Sequence, residues 1–520
     1  MKRQSRLWEG VLASLAVPAM MLCQVAAGDH VQATNPLPRI VIQEAPDIVV
    51  NTTQDVADLE YAASIWNLPG PDGLVSLREA IIAANNSPGP QVIAFNIPLG
   101  DAGFSGTVFT IKPLSRLPLL VDNGTTIDGT TQTLFTGDAN PFGPEIVIDG
   151  SEAGETNGIS VFMSENHVIR GLVIHSFRQA GIGFSDDPEM NYRPSNVQIA
   201  GCYIGTDETG SVAIGNGWQG IAVNGSNNLI GGPDPADGNL ISGNGTLWVG
   251  CELGVGGNNT TVQHNFIGTD RTGMVALGRS DAISVTGVRS QIKHNLISGN
   301  AYNAVVIADQ NTTDNVIEGN LIGTDITGQG PLPNGTPGGG QGDGVSFVLG
   351  ASNNVAVGNL IAFNHGSGVV VTHDSNGNTV SRNLILHSCR LGIDLGSDGL
   401  TPNDPGDGDA GPNNLQNYPV LTSALVTPGR LVVQGTIDSP DPASIVIELF
   451  ANPVPNPGPD SSGYGEGAVY LGSVQPNPRG MFTAALPSVV VGTLITATAT
   501  DAVGNTSEFA QNIEAKSRRK

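Results

Sequence analysis

Six oxygen-bearing side chains crowd into a short stretch of the C-terminal third of the chain: Asp398, Asn403, Asp404, Asp407, Asp409 and Asn413. Carboxylate and amide oxygens are what Ca²⁺ takes as ligands, and alternate acids separated by glycine, as in Asp407-Gly408-Asp409, can wrap an ion without steric hindrance. No Glu closes a twelve-residue loop, so this is not an EF-hand. The expectation is a Ca²⁺ site built foremost from Asp404, Asp407 and Asp409. Its alternative is an acidic linker tied by Asx turns.

A second pair of carboxylates recurs at one repeat position, Asp281 in Ser280-Asp281-Ala282-Ile283-Ser284 and Asp343 in Gly342-Asp343-Gly344-Val345-Ser346. Two coils of a solenoid would hold them about 9.6 Å apart, at the outer edge of inverting glycoside hydrolysis. Asp281 and Asp343 are therefore the catalytic candidates if the chain is an enzyme, and recurrence of this kind is also what turns produce. His264 and His294 each precede a repeated Asn and should stack one coil apart. Two imidazoles could hold a transition metal, but no third ligand is in sight. Trp218, Trp248 and Tyr302 could offer stacking faces to sugar rings, though aromatics are only 5% of the chain.

What elements must position these groups? The 520 residues include 70 Gly and 34 Pro, which excludes a long helical or coiled-coil protein. Charged residues are 13% and hydrophobic residues 39%, the reverse of an acidic disordered chain. A net charge of −25 argues against nucleic acid as a partner, because phosphates require a basic footprint. The same charge serves solubility and raises affinity for calcium.

Residues 1–27 read as an export signal. Lys2, Arg3 and Arg6 precede an apolar stretch from Val11 to Leu22, and Val25-Ala26-Ala27 supplies small residues for cleavage. Cys23 follows Leu22 rather than a small residue, which disfavours lipidation. No second apolar run is long enough to span a bilayer, so the mature chain is expected to carry no transmembrane segment and to be secreted or held at the cell envelope. Cys202, Cys251 and Cys389 then remain, too few for a disulfide framework.

The middle of the chain repeats. Asn239, Asn265, Asn295, Asn320, Asn359 and Asn383 each open a segment such as Asn-Leu-Ile-Ser-Gly-Asn or Asn-Phe-Ile-Gly-Thr-Asp. The isoleucines of this frame fall at Ile174, Ile204, Ile241, Ile267, Ile297, Ile322, Ile361 and Ile385, with Ile148 and Ile127 extending the series backwards. A variable period above a floor near the low twenties is a coil with loop insertions. Short β-prone runs in each period point to stacked parallel strands, about ten coils and roughly 48 Å of rod. Buried amides must find partners, so the repeated asparagines are expected to bond coil to coil as a ladder. Asp207, Asp270 and Asp325, each followed by x-Thr-Gly, read as turn residues.

The flanks differ. Ser76-Leu77-Arg78-Glu79 has capping-box spacing before an apolar helix reaching Asn85, which would cover the open first coil. From Tyr418 onward, alternating strands without the repeat suggest a small β-sandwich. The expected fold class is all-β: a right-handed parallel β-helix with a short N-terminal helical cap and a C-terminal Ig-like β-sandwich. The expected segments are 36–85 for the cap, 86–400 for the β-helix, 394–417 for the acidic Gly/Pro-rich junction and 418–515 for the sandwich.

Gly73-Leu-Val-Ser-Leu-Arg-Glu-Ala-Ile-Ile-Ala-Ala-Asn85 resembles the CSLREA motif of secreted bacterial right-handed β-helix repeat proteins, with Val75 where the motif has cysteine. The Ile-Gly-Thr-Asp and Asn-Leu-Ile-Ser-Gly-Asn units and the stretch from Gly392 to Pro419 are similar to those proteins too, so the resemblance covers most of residues 40–515. It implies architecture more than activity. The function expected is a structural, adhesive or polysaccharide-binding scaffold whose partner is an extracellular polysaccharide or cell-surface component. The alternative is a pectate-lyase-like polysaccharide lyase or a glycoside hydrolase, for which the fold supplies analogy alone.

Overall fold

The computed structural model describes residues 47–185, 193–247, 250–339, 341–453 and 462–517. The export signal (1–27), residues 36–46 of the cap segment, Trp248 and residues 518–520 lie outside them.

β-Branched residues favour extended backbone, and here they lie in strands of two to five residues between Gly- and Asn-rich corners. Each turn of chain therefore makes three short strands, and their stacking gives three all-parallel sheets of 11, 10 and 9 strands. These sheets are the faces of a right-handed parallel β-helix. The repeat isoleucines form one column of the ten-stranded sheet: Ile148, Ile174, Ile204, Ile241, Ile267, Ile297, Ile322, Ile361 and Ile385 pair in sequence, all buried. Ile127 does not belong to it. That residue pairs with Ile93 and Ile169 in the eleven-stranded sheet, and Ile111 precedes Ile148 instead. Two isoleucine columns run in parallel, and a spacing of about one coil cannot tell them apart.

Strand Ile48–Val50 is the first rung of the eleven-stranded sheet, pairing with Val92–Phe95. The coil stack thus begins before the helix Leu77–Asn85 rather than after it. That helix starts at a closed capping box, with Ser76 Oγ accepting from Glu79 N (3.2 Å) and Glu79 Oε2 accepting from Ser76 N (3.0 Å). Its buried Leu77, Ala80, Ile81, Ala83 and Ala84 join the core of the stack and close its first end.

Amide ladders stitch the corners. Nδ2 of Asn239, Asn265, Asn295, Asn320 and Asn359 each donates to Oδ1 of the next ladder asparagine at 2.8–3.0 Å, ending at Asn383. Oδ1 of that next residue also takes the backbone N–H of the one before, so the amides of this ladder are satisfied by their neighbours.

The C-terminal strands form two four-stranded sheets. Met481–Pro487, Arg430–Thr436, Val420–Thr427 and Lys516–Ser517 make one; Val469–Val474, Val446–Asn452, Leu494–Thr500 and Ile513–Glu514 make the other. With a shared core of Leu431, Val433, Ile447, Leu449 and Ile495, this is a β-sandwich of Ig-like strand order. The fourth strand in the chain pairs with the third, whereas constant-type Ig domains place it on the opposite sheet.

The sandwich closes the far end of the stack. Phe450 and Phe509, ring centroids 5.5 Å apart, belong to the β-helix core. Three sandwich glutamates accept the N–H groups that the last coil would otherwise leave open. Glu448 takes Arg382 N (2.9 Å), Glu466 takes His387 N and Ser388 N (2.6 and 2.7 Å), and Glu508 takes Leu395 N and Thr401 N (both 3.0 Å).

Candidate ligand-binding face

The corner leading into the nine-stranded sheet carries its own polar column. Inward-facing Ile159, Ile182, Ile221, Leu253, Ile283, Val305, Val345, Val369 and Ile393 are in register. Two residues before each stand Asn157, Ala180, Gln219, Cys251, Asp281, Asn303, Asp343, Ser367 and Leu391. Several of these side chains accept the backbone N–H of the equivalent residue one coil on: Asn157 from Ala180 (2.9 Å), Asp281 from Asn303 (2.8 Å), Asn303 from Asp343 (2.9 Å) and Asp343 from Ser367 (2.8 Å). Asp281 and Asp343 are thus rungs of a corner ladder, two coils apart with Asn303 between them.

One residue earlier, two large side chains face solvent. Trp218 and Tyr302 occupy the same place in their coils, 47% and 45% exposed, three rungs apart. Three rungs of a parallel sheet span about 14 Å. Arg390 takes the same place in the last coil, and Arg178 and Arg279 sit one residue before it in theirs, all exposed. Arg178 pairs with Glu155 at the surface. The rod therefore presents a lengthwise strip of alternating aromatic faces and guanidinium groups. Aromatic faces stack on the apolar faces of sugar rings, and guanidinium forks bind hydroxyls and carboxylates.

Burial pushes the carboxyls of Asp281 and Asp343 above the ordinary aspartate range. Asp394 adds to the rise at Asp343, while Arg390 opposes it. Each keeps one oxygen on a backbone N–H, so the column explains both residues as turn-holding groups.

At the junction, the six candidate ligands do not converge. Asn413 closes a second amide ladder, accepting Asn378 N (3.0 Å) and donating to Asn378 O (2.8 Å). Asn403 pairs through both amide atoms with the backbone of Tyr418. Asp407 spends its two oxygens on Asn417 N and Gln416 Nε2 (both 2.7 Å), and Asp404 accepts Gly408 N. Asp398 stands apart from that turn, near Asp394 and Glu508, whose carboxyls its charge helps to raise. Burial and mutual repulsion with Asp404 raise Asp407 and Asp409. Among the described residues, no group of three or more His, Cys, Asp or Glu side chains is placed to hold a metal ion.

His264 and His294 stack with centroids 5.7 Å apart, and His264 Nδ1 is held by Gly232 O at 2.8 Å. Asp207, Asp270 and Asp325 each hold a hairpin through Thr hydroxyls and backbone N–H groups. The three hairpins also bond directly, Arg271 N to Gly210 O and Ile326 N to Gly273 O, leaning across the coil between them.

No protein-family model matches the chain. Solved structures similar to it include the periplasmic alginate epimerase AlgG, 14% identical over 64% of this chain and 73% of that one, with a TM-score of 0.32. The pectate lyase Pel9A is 13% identical over 68% of this chain and 73% of that one, TM-score 0.30. The Pseudomonas phage phi297 tailspike gp61 is 12% identical over 70% and 64%, TM-score 0.23.

Sequence reasoning named Trp218 and Tyr302 without knowing that they share a column, and it missed the arginines beside them. The signal was present: both aromatics stand three residues before an aliphatic of the nine-stranded sheet. It becomes visible only when that sheet's register is known.

Proposed function

We propose that this chain is a secreted or cell-envelope scaffold that binds an extracellular polysaccharide lengthwise along the Trp218–Tyr302 strip. The observation that carries this reading is two exposed aromatic faces in one column of a rigid rod, with Arg178, Arg279 and Arg390 along the same edge. Exposed aromatics held by a regular backbone lose little freedom on binding, which favours an extended repeating ligand. Among the described residues, no helix is long and apolar enough to cross a membrane. Glycan-array binding of the wild type, compared with Trp218→Ala and Tyr302→Ala, tests the reading. Loss of the captured glycans in both variants supports it, and unchanged binding removes the strip from the function.

A second reading, cleavage of the bound polymer, draws on the raised carboxyls of Asp281 and Asp343 beside the same strip. A screen for new reducing ends and unsaturated products decides it. Turnover abolished by Asp281→Asn or Asp343→Asn in folded protein would make the chain an enzyme.

A further inference from the structure

Cys389 and His365 occupy equivalent places in consecutive coils, each four residues after a paired isoleucine of the ten-stranded sheet, Ile385 and Ile361. The backbone bond from Cys389 N to Asn364 O (3.0 Å) fixes the two turns against each other. Stacking thus brings the Cys389 thiol to 3.6 Å from His365 Nδ1. Cys389 is exposed, and the imidazole is half-buried beside it. The other two described cysteines are different in kind. Cys202 and Cys251 are buried, and burial pushes both thiols up to about 12.

The thiolate is the nucleophilic form of cysteine, and a nucleophile with a base in reach is the arrangement that generates it. We propose that Cys389 is the reactive thiol of this protein and undergoes exchange with small-molecule disulfides, His365 acting as its base. The proton leaves Sγ for Nδ1. The thiolate then attacks one sulfur of the incoming disulfide, forming a new S–S bond as the old one breaks. The departing thiolate takes the proton back from the imidazolium. Cys389 is oxidised, one sulfur of the reagent is reduced, and the oxidant is the small disulfide itself. The other charged groups at this turn are Arg390, the next residue, Asp343, whose carboxylate feels the Arg390 charge, and Glu466, which accepts His387 N and Ser388 N. The Arg390 guanidinium suits anionic reagents such as glutathione disulfide, whose carboxylates it can bind.

The test is exposure of the full chain to glutathione disulfide between pH 6 and 9, with peptide mass mapping over time. The expected result is one glutathione adduct on Cys389, with none on Cys202 or Cys251. At pH 7 the wild type should form it several-fold faster than His365→Gln or His365→Asn, with the rates converging at alkaline pH. Added free imidazole should restore part of the lost rate in both variants. Thermal melts matching the wild type would show that the variants are folded. No adduct on Cys389, or equal rates for wild type and both variants at every pH, would overturn the proposal.

Discussion

The side-chain amide of Asn244 donates to Glu252 Oε2 at 2.7 Å, and through that bond a glutamate completes an asparagine ladder. Asn216 bonds to Asn244 on one side, and Asn300, Asn334 and Asn364 continue the column beyond. The coil between them, which carries the Asp270 hairpin, has glycine at this corner: a side chain on Gly278 would collide with Asn300. Glu252 is wholly buried and also accepts Gly243 N, Asn244 N and Arg279 N.

Glu252→Ala should therefore be among the costliest single substitutions in the rod. It strands four N–H donors in the interior, a loss of about 3 kcal/mol or more. Glu252→Gln keeps the shape but points an amide at the Asn244 donor, so its loss should be intermediate. Urea unfolding of the three proteins checks the order.

Stability should also depend on pH through the buried glutamates. Burial raises both Glu252 and Glu508 from 4.5 to about 7. The folded state then holds these protons more tightly than the unfolded state, so their effect on stability is most favourable below pH 4.5 and is lost as pH rises towards 7. Each group can contribute up to about 3 kcal/mol across that window. Burial lowers His167 and His175, which acts in the opposite direction as pH falls through the ordinary histidine range. The difference between wild type and Glu252→Gln/Glu508→Gln isolates the glutamates. The melting temperature of the wild type should fall more steeply from pH 5 to 8 than that of the double variant.

Asn295 is bonded on both sides, to Asn265 through its oxygen and to Asn320 and Val262 O through its nitrogen. Asn295→Ala should cost about 2–3 kcal/mol by leaving buried amide groups unpaired. Asn295→Asp should cost at least as much, since it replaces a donor with a charge. Denaturant midpoints give both values.

At the acidic junction, the Asp407 oxygens already hold Gln416 and Asn417. Calcium should leave the melting temperature and the protease resistance of residues 394–417 unchanged relative to chelator-treated protein. Asp407→Ala should loosen the segment with or without calcium. A calcium-dependent rise in melting temperature that disappears in Asp407→Ala/Asp409→Ala would instead place an ion there.

Much of the rod was legible because the isoleucines and ladder asparagines recur in one frame. An inward Ile and a corner Asn are local demands that every coil repeats. Ile127 was misassigned because its neighbour column has the same chemistry and nearly the same spacing. At the acidic junction, composition shows how many oxygens are near one another, whereas their partners, Tyr418, Gln416 and Asn378, are set by the fold. The Glu252 rung was hidden because its role is defined by an asparagine missing elsewhere. The corner strip was hidden because Trp218 and Tyr302 are 84 residues apart and meet only through register.

The measurement that bears most directly on the proposed role is binding of the wild type and the Trp218→Ala/Tyr302→Ala variant to immobilised polysaccharides, with products assayed in the same samples. The strip predicts retention of at least one polysaccharide by the wild type, its loss in a variant that melts normally, and no cleaved product. Equal retention by both proteins, or cleaved product that depends on Asp281 and Asp343, would contradict it.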